Sequence, residues 1–543
     1  MKLSKPVKAI LSLVFVGCLT SCFFFNSDFY FDWGKTSNTT SADPSTSAIA
    51  DYKTPNYNSS FTVENMNKDN LGLGYGYHYL PSIGNSKILV IPIQTTDDQF
   101  SSNDKNRLQA AFFGKNYQTG WESVASYYEK SSFDQLHITG EVTDAITLNM
   151  TTAQLEEKSK KMSDSKSNYT DTVLQTALES LVKKSSIDLS DYDTNDDGYI
   201  DAVWMVYAPS YNSESDLYWA YTTWATNANK VGGVTPCCYA WASIDFLDVG
   251  GYMDVGEYMN KIPDAHTFIH ETGHMMGLDD YYSYDYSPSE NCYDTPLGGI
   301  DMMDFNIGDH NAFSKYLLGW RKPTLITKEY LEANDYTLTL SSMEQAGNSF
   351  LIPTCKDGVE NYNNTPFDEY LLLEYNTPTG LNYQDSLGMG YAGRNPTYTQ
   401  PGIALYHVNA TIGKITATGT GFSWDGYAYD KIPSFYSSSA WGRTFIYTYL
   451  YSNTASYSYD KTLGDQGLDY YRGRLISLLP SSGKRINGTK TGYASYRSLY
   501  RSGSSFNSKI YSTFAFDDGS KPAFGFTVNK TSDSDCTIEF TDF

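Results

Sequence analysis

The sequence predicts an α/β (α+β) domain over residues 75–323, followed by a β-rich, sandwich-like region over residues 324–543. In the first half, stretches with helical periodicity alternate with short apolar runs, which is typical of a sheet covered by helices. In the second half, short strand-like runs are separated by turns rich in Gly, Ser, Asn and Pro, as in sandwich folds. The 48 tyrosines, in a chain with only 19% charged residues, also indicate extensive β-structure.

The individual elements follow from apolar periodicity and from end signals. Asp264 follows a proline and is a good N-cap, so a helix is expected to start there. Pro92 removes one backbone donor from its strand, which indicates an edge strand or a bulge. The expected elements of the first half are strand 87–93, helices 106–113 and 122–131, one or two strands within 135–148, helix 171–183, strand 202–208 and the helix from Asp264. The clearest strands of the second half are 369–375 and 402–408.

Residues 1–21 have the features of a secretory signal peptide. Lysines precede a short apolar run from Ala9 to Leu19, and small residues then lead to Cys22. This ending resembles the lipobox of bacterial lipoproteins, which implies lipid attachment to Cys22 and anchoring on the extracellular face of a bacterial cell membrane. An ordinary cleaved signal, with release of the protein, is the alternative.

Residues 22–74 are predicted to form a flexible tether, because the stretch 36–47 lacks large apolar side chains to bury. The formal charge of −23 argues against nucleic acid and anionic lipid as partners and suits an extracellular protein. In an oxidising exterior we expect two disulfides, one joining Cys237 or Cys238 to Cys292 and one joining Cys355 to Cys536. Oligomeric state is not indicated by the sequence.

The strongest functional signal is a motif of two histidines with a glutamate between them. His270 and His274 are four residues apart, so a helix places both on one face, as half of a tetrahedral zinc site. Glu271 can then take a proton from a metal-bound water. Gly277 can adopt a positive φ and end the helix, which brings Asp280 round as the third ligand. This spacing predicts a zinc metallopeptidase.

The motif is unusual enough to carry that prediction. A bare H-E-x-x-H occurs by chance in about 7% of chains of this length, and the added glycine and aspartate lower that to about one in several thousand. Several alternatives remain open at this point. Asp279 could replace Asp280 as a ligand, a downstream glutamate could do so, or the zinc could serve another hydrolase reaction. His266, four residues upstream, is expected on the helix surface or behind the ligands.

Two further motifs accompany the zinc motif. Met302 and Met303 lie about 20 residues downstream, where a methionine turn could form an apolar floor beneath the zinc, with Met303 preferred. A run of acidic and amide residues before strand 202–208 matches the start of a calcium loop, although its twelfth position is Trp204 instead of Glu. An Asp/Asn-rich turn is the alternative. The possible calcium ligands are Asp193, Asn195, Asp197, Tyr199 and Asp201.

These residues resemble those of the immune inhibitor A-like metallopeptidases, secreted bacterial zinc proteases related to metzincins. The resemblance implies a metzincin-like catalytic domain in which His270, His274 and Asp280 bind zinc and Glu271 is the general base. It is carried by residues 80–85, 111–114, 126–132, 193–201, 270–280 and 308–320, and by the stretches around Glu374 and His407.

The sequence therefore predicts an extracellular, membrane-anchored zinc endopeptidase that hydrolyses peptide bonds of polypeptide substrates. The alternative is a non-catalytic surface lipoprotein that binds protein or glycan through its β-rich half. His310, Tyr281 and Tyr282 are the candidates for stabilising the oxyanion. The substrate itself is not indicated.

Overall fold

The computed structural model describes a mixed α/β first half and a β-rich second half. The segments expected to be a signal peptide and a tether, including Cys22, lie outside the described residues up to residue 64. The described residues are 65–73, 77–115, 118–163, 169–184, 187–211, 216–225, 228–248, 262–284, 286–287, 292–293, 295–387, 396–418, 421–425, 446–449, 451–454, 474–484, 486 and 493–543.

A six-stranded sheet forms the centre of the first half. Its strands are β1 (Gly84–Gln94), β2 (Leu136–Val142), β3 (Ile146–Thr147), β5 (Ala202–Tyr207), β6 (Tyr221–Trp224) and β8 (Cys238–Ser243), while β4 (Tyr199–Ile200) pairs separately with β7 (Thr235–Pro236). The strand order is β2-β1-β5-β8-β6, with β3 continuing beside β1. The neighbours are parallel, except that β6 runs antiparallel to β8 at the edge.

Helices cover both faces of this sheet, because apolar residues occupy both faces of its strands. Along β1, Ile88 and Val90 face one apolar cluster, while Leu89 and Ile91 face the other. The helices are α1 (Lys68–Leu73), α2 (Asp104–Phe113), α3 (Val124–Ser131), α4 (Thr152–Ser163), α5 (Tyr169–Lys183) and α6 (His266–Met275). The first cluster includes residues of α2, α3 and α6, and the second includes residues of α4 and α5.

The position of Pro92 differs from the expectation of an edge strand or a bulge. The strand β1 is an inner strand, paired with β2 and β3 on one side and β5 on the other. The carbonyls of Val90 and Gln94 accept hydrogen bonds from Thr143 and Leu148, on the side of β2 and β3. Pro92 falls between these two bonds, where the neighbour changes from β2 to β3, so the ladder loses no donor there.

Residues before 324 also form a two-stranded sheet of β9 (Tyr286–Ser287) and β10 (Cys292–Tyr293) and two short helices, α7 (Met302–Phe305) and α8 (Ala312–Leu317). The strands of the second half are β11 (Thr324–Leu325), β12 (Thr337–Ser341), β13 (Ser349–Ile352), β14 (Thr354–Lys356), β15 (Val359–Asn361), β16 (Glu369–Asn376), β17 (Gly402–Asn409), β18 (Ile412–Thr418), β19 (Gly421–Asp425), β20 (Ile446–Tyr449), β21 (Ile476–Leu478), β22 (Ser505–Phe506), β23 (Lys521–Pro522), β24 (Phe524–Thr531) and β25 (Asp535–Asp542). Its helices are α9 (Lys328–Glu332), α10 (Met343–Ala346) and α11 (Tyr383–Ser386). Within the described residues these strands form four sheets, with the orders β11-β13-β16-β17-β21, β12-β25-β24-β22, β15-β14-β23 and β19-β18-β20.

The five-stranded sheet that contains β16 and β17 links the two halves of the molecule. On one face, Leu371 and Leu373 share an apolar core with Phe526 and Ile538 of the four-stranded sheet. On the other face, side chains such as Leu372 belong to the same cluster as the helices of the first half. One continuous core therefore crosses the boundary expected at residues 323 and 324. Met66 and Leu71, within the stretch expected to be a tether, are buried in that core as well.

The cysteine pairings expected from the sequence are wrong. None of Cys237, Cys238, Cys355 and Cys536 is part of a disulfide. Cys536 is buried in the apolar core shared by the five-stranded and four-stranded sheets, where burial raises the pKa of its thiol, whereas Cys355 lies in a different sheet. Burial likewise raises the pKa of Cys237 to about 12. The described helices include none with the length and apolarity needed to cross a bilayer.

Candidate metal centre

The helix α6 carries both histidines of the zinc motif and is held at both ends. It begins at His266, two residues later than expected, and Asp264 accepts a hydrogen bond from the backbone N–H of His266 at 2.9 Å. At the other end Gly277 has a φ of +96°, as the motif predicted, and Leu278 N–H bonds back to the carbonyl of Gly273. The chain therefore reverses direction and brings Asp280 towards the histidines.

Three potential ligand atoms converge at this point. The Nε2 atoms of His270 and His274 lie 3.1 Å apart. Asp280 Oδ1 lies 3.0 Å from the first Nε2 atom and 3.3 Å from the second. Ligand atoms about 2.0–2.2 Å from one tetrahedral zinc ion are about 3.3–3.5 Å from each other. The three atoms here are therefore only slightly closer together than they would be around a bound zinc ion. Asp279 is not a member of this group.

Backbone carbonyls fix the orientation of both rings. His270 Nδ1 donates a hydrogen bond to the carbonyl of Met302, and His274 Nδ1 donates to the carbonyl of Leu278, each at 2.7 Å. A carbonyl can only accept, so the proton of each neutral ring lies on Nδ1, and Nε2 presents a lone pair to the common centre.

Asp280 shows most directly that the site fits a cation. Its side chain is buried, and Tyr284 donates a hydrogen bond to Oδ2 at 2.5 Å. Within the part of the chain that the structure describes, no hydrogen bond of ordinary geometry reaches Oδ1. A buried carboxylate oxygen of this kind is costly unless a positive charge compensates it. The two nitrogens and this oxygen form a donor set that zinc prefers.

Protons compensate the charge of Asp280 when no metal is bound. Burial acts to raise the pKa of Asp280, but the adjacent His274 and His270 hold it well below its ordinary value. Burial acts to lower the pKa of His274, but the charge of Asp280 outweighs it and raises this pKa to about 10. A metal ion must displace that proton when it binds.

Glu271 lies beside the ligands and is held by the edge strand β6. Its side chain is buried, and burial raises the pKa of its carboxyl group. The hydroxyl of Thr222 lies 2.9 Å from both Glu271 Oε2 and the Glu271 carbonyl oxygen, and can donate to either. Thr222 was not predicted, because nothing in a threonine of a short strand indicates a partner 49 residues away.

The methionine pair lies against α6, called the ligand helix below because it carries His270 and His274. A Cβ atom added to Gly273 would stand 2.6 Å from Met303 Sδ, so this thioether packs directly against the helix between the two histidines. Met302 contributes its carbonyl, which holds His270. Asp301 caps the turn by accepting a hydrogen bond from Met303 N–H at 2.7 Å, and burial raises the pKa of Asp301 to about 8.

His266 is not on the helix surface, in contrast to one of the positions expected for it. It is buried, stacked on Trp121 at a centroid distance of 4.2 Å, and Nδ1 lies 2.9 Å from Asp264 Oδ1. Burial acts to lower its pKa, but Asp264 and then Asp385 outweigh burial and raise it to about 10. It is outside the ligand group.

Two of the residues expected to stabilise the oxyanion are enclosed in the protein interior. His310 and Tyr281 are buried, with 1% and 0% of their surface exposed. Burial lowers the pKa of His310, whose Nε2 lies 3.4 Å from the hydroxyl of Tyr128, and Tyr281 is hydrogen-bonded to Ser314. Tyr282 is partly exposed and packs near Tyr284.

The acidic loop expected to bind calcium is closed by its own hydrogen bonds. Asp193 accepts from the N–H groups of Asp197 and Gly198, and Asp197 accepts from Tyr199 N–H, each at 2.9 Å. Asp197 Oδ2 also lies 3.0 Å from Nδ1 of His78, which was not predicted. Burial raises the pKa of Asp201 to about 6. The loop residues are not among the groups of converging metal-competent side chains in the described chain.

A second group of potential ligand side chains lies on the surface near the end of α3. It consists of Glu129, Asp134 and His137, which the sequence did not single out. All three are wholly or partly exposed, whereas the ligand group on α6 is largely buried. Burial of the ligand atoms therefore distinguishes the motif site from this surface cluster.

Comparison with known proteins adds no relative. No protein-family model matches the chain, and no curated protein matches it. The family resemblance therefore remains a prediction from the motifs.

Proposed function

We propose that the protein is a zinc-dependent endopeptidase whose metal ligands are His270, His274 and Asp280. The observation that carries the proposal is the largely buried convergence of two Nε2 atoms and a carboxylate oxygen within 3.0–3.3 Å of one another. Three protein ligands leave a fourth tetrahedral position open, which is the arrangement of catalytic and not structural zinc.

Glu271 is the general base of the proposed reaction. Zinc, when bound, supplies a Lewis acid that polarises the scissile carbonyl and lowers the pKa of water. Glu271 removes a proton from the attacking water and passes it to the leaving amine. Its raised pKa suits a group that must take up a proton and then release it. The hydroxyl of Thr222 orients the carboxylate for both transfers.

We further propose a metzincin-like catalytic domain, as in the immune inhibitor A-like peptidases. Support comes from Met303, which packs against the ligand helix, and from the mostly parallel sheet behind it. The lipobox-like sequence before Cys22 and the strongly negative charge support a protein anchored on the extracellular face of a bacterial membrane. A calcium ion in the Asp193–Asp201 loop belongs to the same proposal.

Cleavage of unfolded casein by residues 23–543, with zinc measured on the same sample, tests the activity. The matched variant is Glu271→Gln, which preserves size and removes the base. We expect the wild type to cleave, a chelator to abolish cleavage, and the variant to hold zinc without activity. Zinc-loaded wild type that cleaves neither casein nor a diverse peptide library would contradict the endopeptidase assignment and leave the non-catalytic surface protein.

A further inference from the structure

The β-rich half contacts the metal-site loops through buried polar side chains. Asn453 donates hydrogen bonds to the carbonyls of Tyr281 and Ile476, at 2.9 and 2.8 Å. Glu374 accepts from the N–H of Ala312, the first residue of α8, at 2.6 Å. The first contact lies next to the ligand Asp280, and the second follows the methionine turn. The β-rich half thus adjoins the loops that shape the metal centre.

Asp385 makes the contact that reaches the ligand helix itself. Its Oδ2 accepts a hydrogen bond from Gly308 N–H at 2.8 Å, just after the methionine turn. Its Oδ1 lies 3.7 Å from Nε2 of His266, the first residue of α6. The side chains of Asp385 and His266 are 2% and 4% exposed, so solvent screens this charge pair very little.

These contacts connect Asp385 with the ligand atoms along two short routes. On one side, His266 precedes the ligand His270 by one helical turn and is held by Asp264 and by the face of Trp121. On the other side, Gly308 ends the short segment that begins at Met302, and the carbonyl of Met302 orients the ring of His270. A shift of Asp385 would therefore displace the ligand helix and the carbonyl that orients its first ligand at the same time.

We propose that Asp385 is a positioning residue for the metal centre, so that the β-rich half completes the zinc site instead of forming a separate binding module. This inference rests on the proposed zinc site, although not on peptide hydrolysis. Residues that orient metal ligands typically change metal affinity by about 10-fold to 100-fold when they are substituted. Asp385 acts through His266 and Gly308, so we expect the lower end of that range.

The test compares Asp385→Asn with Glu369→Gln in the full mature chain. Glu369 offers a matched control, because it is a buried acid of the same five-stranded sheet region that pairs with a buried histidine, His407, at 2.9 Å. We expect Asp385→Asn to weaken zinc binding about 10-fold in chelator competition and to change the visible spectrum of the cobalt-substituted protein. We expect Glu369→Gln to lower the melting temperature and to leave zinc affinity and the cobalt spectrum as in the wild type.

The variant His266→Gln changes the other partner of the contact between Asp385 and His266. It provides the test if Asp385→Asn does not fold. It should weaken zinc binding in the same direction. If the variants at both positions fold and keep the zinc affinity and cobalt spectrum of the wild type, the positioning role of Asp385 is overturned and the proposed zinc site is not. A wild type that binds neither zinc nor cobalt would overturn the proposed function and this inference together.

Discussion

At the scale of single residues, metal binding at the proposed zinc site would displace a proton. His274 has a pKa of about 10 without metal, because Asp280 stabilises its charged form despite burial. Below that pH the histidine carries a proton that zinc must displace. The raised pKa thus makes the proton a competitor of the metal, and the competition strengthens as the solution becomes more acidic.

Zinc affinity should therefore rise with pH. One proton released per ion gives about a tenfold stronger apparent affinity for each pH unit between pH 6 and 8, where His274 is protonated in the metal-free protein. Chelator competition at several pH values, corrected for the chelator's own protonation, measures the slope. An affinity that is constant over this window would show that no ligand proton is displaced.

Thr222 provides a second test at this scale. Its hydroxyl stabilises the ionised form of Glu271 and so opposes the effect of burial on the pKa of that carboxyl group. In Thr222→Val we expect the pKa of Glu271 to rise and the acidic limb of the kcat/KM profile to move to higher pH. A hydrogen bond to a charged group is worth about 1.5–3 kcal/mol, so kcat/KM should fall about 10-fold to 100-fold.

The neighbouring Thr223→Val is the control for this experiment. It makes the same chemical change in β6, but the side chain at 223 lies on the opposite face of the strand from Thr222. If both variants change the pH profile alike, the effect belongs to the strand and not to the hydroxyl beside Glu271.

At the scale of elements, the turn after α6 decides whether the third ligand reaches the other two. Gly277 has a φ of +96°, and a Cβ atom there would lie 3.3 Å from the ring of Tyr79. Gly277→Ala should cost about 1 kcal/mol of stability through its backbone and should also displace Asp280, lowering zinc affinity at least several-fold.

Gly233→Ala separates these two effects, because Gly233 has a φ of +98° and no atom within 4 Å of an added Cβ. Gly233→Ala should lower the free energy of unfolding, measured by denaturant titration, by a similar amount. Its zinc affinity should not change. Equal zinc affinities in the two variants would argue against a role of the turn in placing Asp280.

The elements also show where sequence reasoning succeeds. The convergence of His270, His274 and Asp280 follows from spacing on one helix and one turn, and helix 171–183 follows from its apolar face. Contacts such as those of Thr222 and Tyr284 depend on how distant segments pack, which periodicity does not encode. The cysteine pairings failed for a related reason, since pairing requires knowledge of which strands become neighbours.

At the scale of the whole molecule, the two halves share one apolar core. Leu372, Tyr406 and Ile476 of the five-stranded sheet belong to the same cluster as Phe268 of α6 and Trp204 of β5. Composition correctly predicted a β-rich second half. It could not predict that one face of the five-stranded sheet packs against the first half. Both faces of β16 and β17 are apolar in the sequence, and this pattern does not indicate which element covers each face.

The shared core predicts that residues 65–323 do not fold alone. Removing residues 324–543 would expose the apolar side chains that face the five-stranded sheet, and would remove Asp385 and Asn453. We expect the fragment to show no cooperative thermal transition and to bind no zinc. The mature chain should unfold cooperatively and bind zinc. Circular dichroism melting with zinc analysis measures both properties, and a cooperative, zinc-loaded fragment would contradict the shared core.

X-ray absorption at the zinc edge, with zinc content per chain, tests the proposed ligand set directly in the mature protein and in Asp280→Ala. We expect one zinc per chain in the wild type, with two imidazole nitrogens and carboxylate or water oxygens at about 2.0–2.2 Å. In the variant we expect the loss of the carboxylate ligand and much weaker binding. An unchanged metal environment in Asp280→Ala, or a wild type without zinc, would show that His270, His274 and Asp280 are not the ligands of a zinc site.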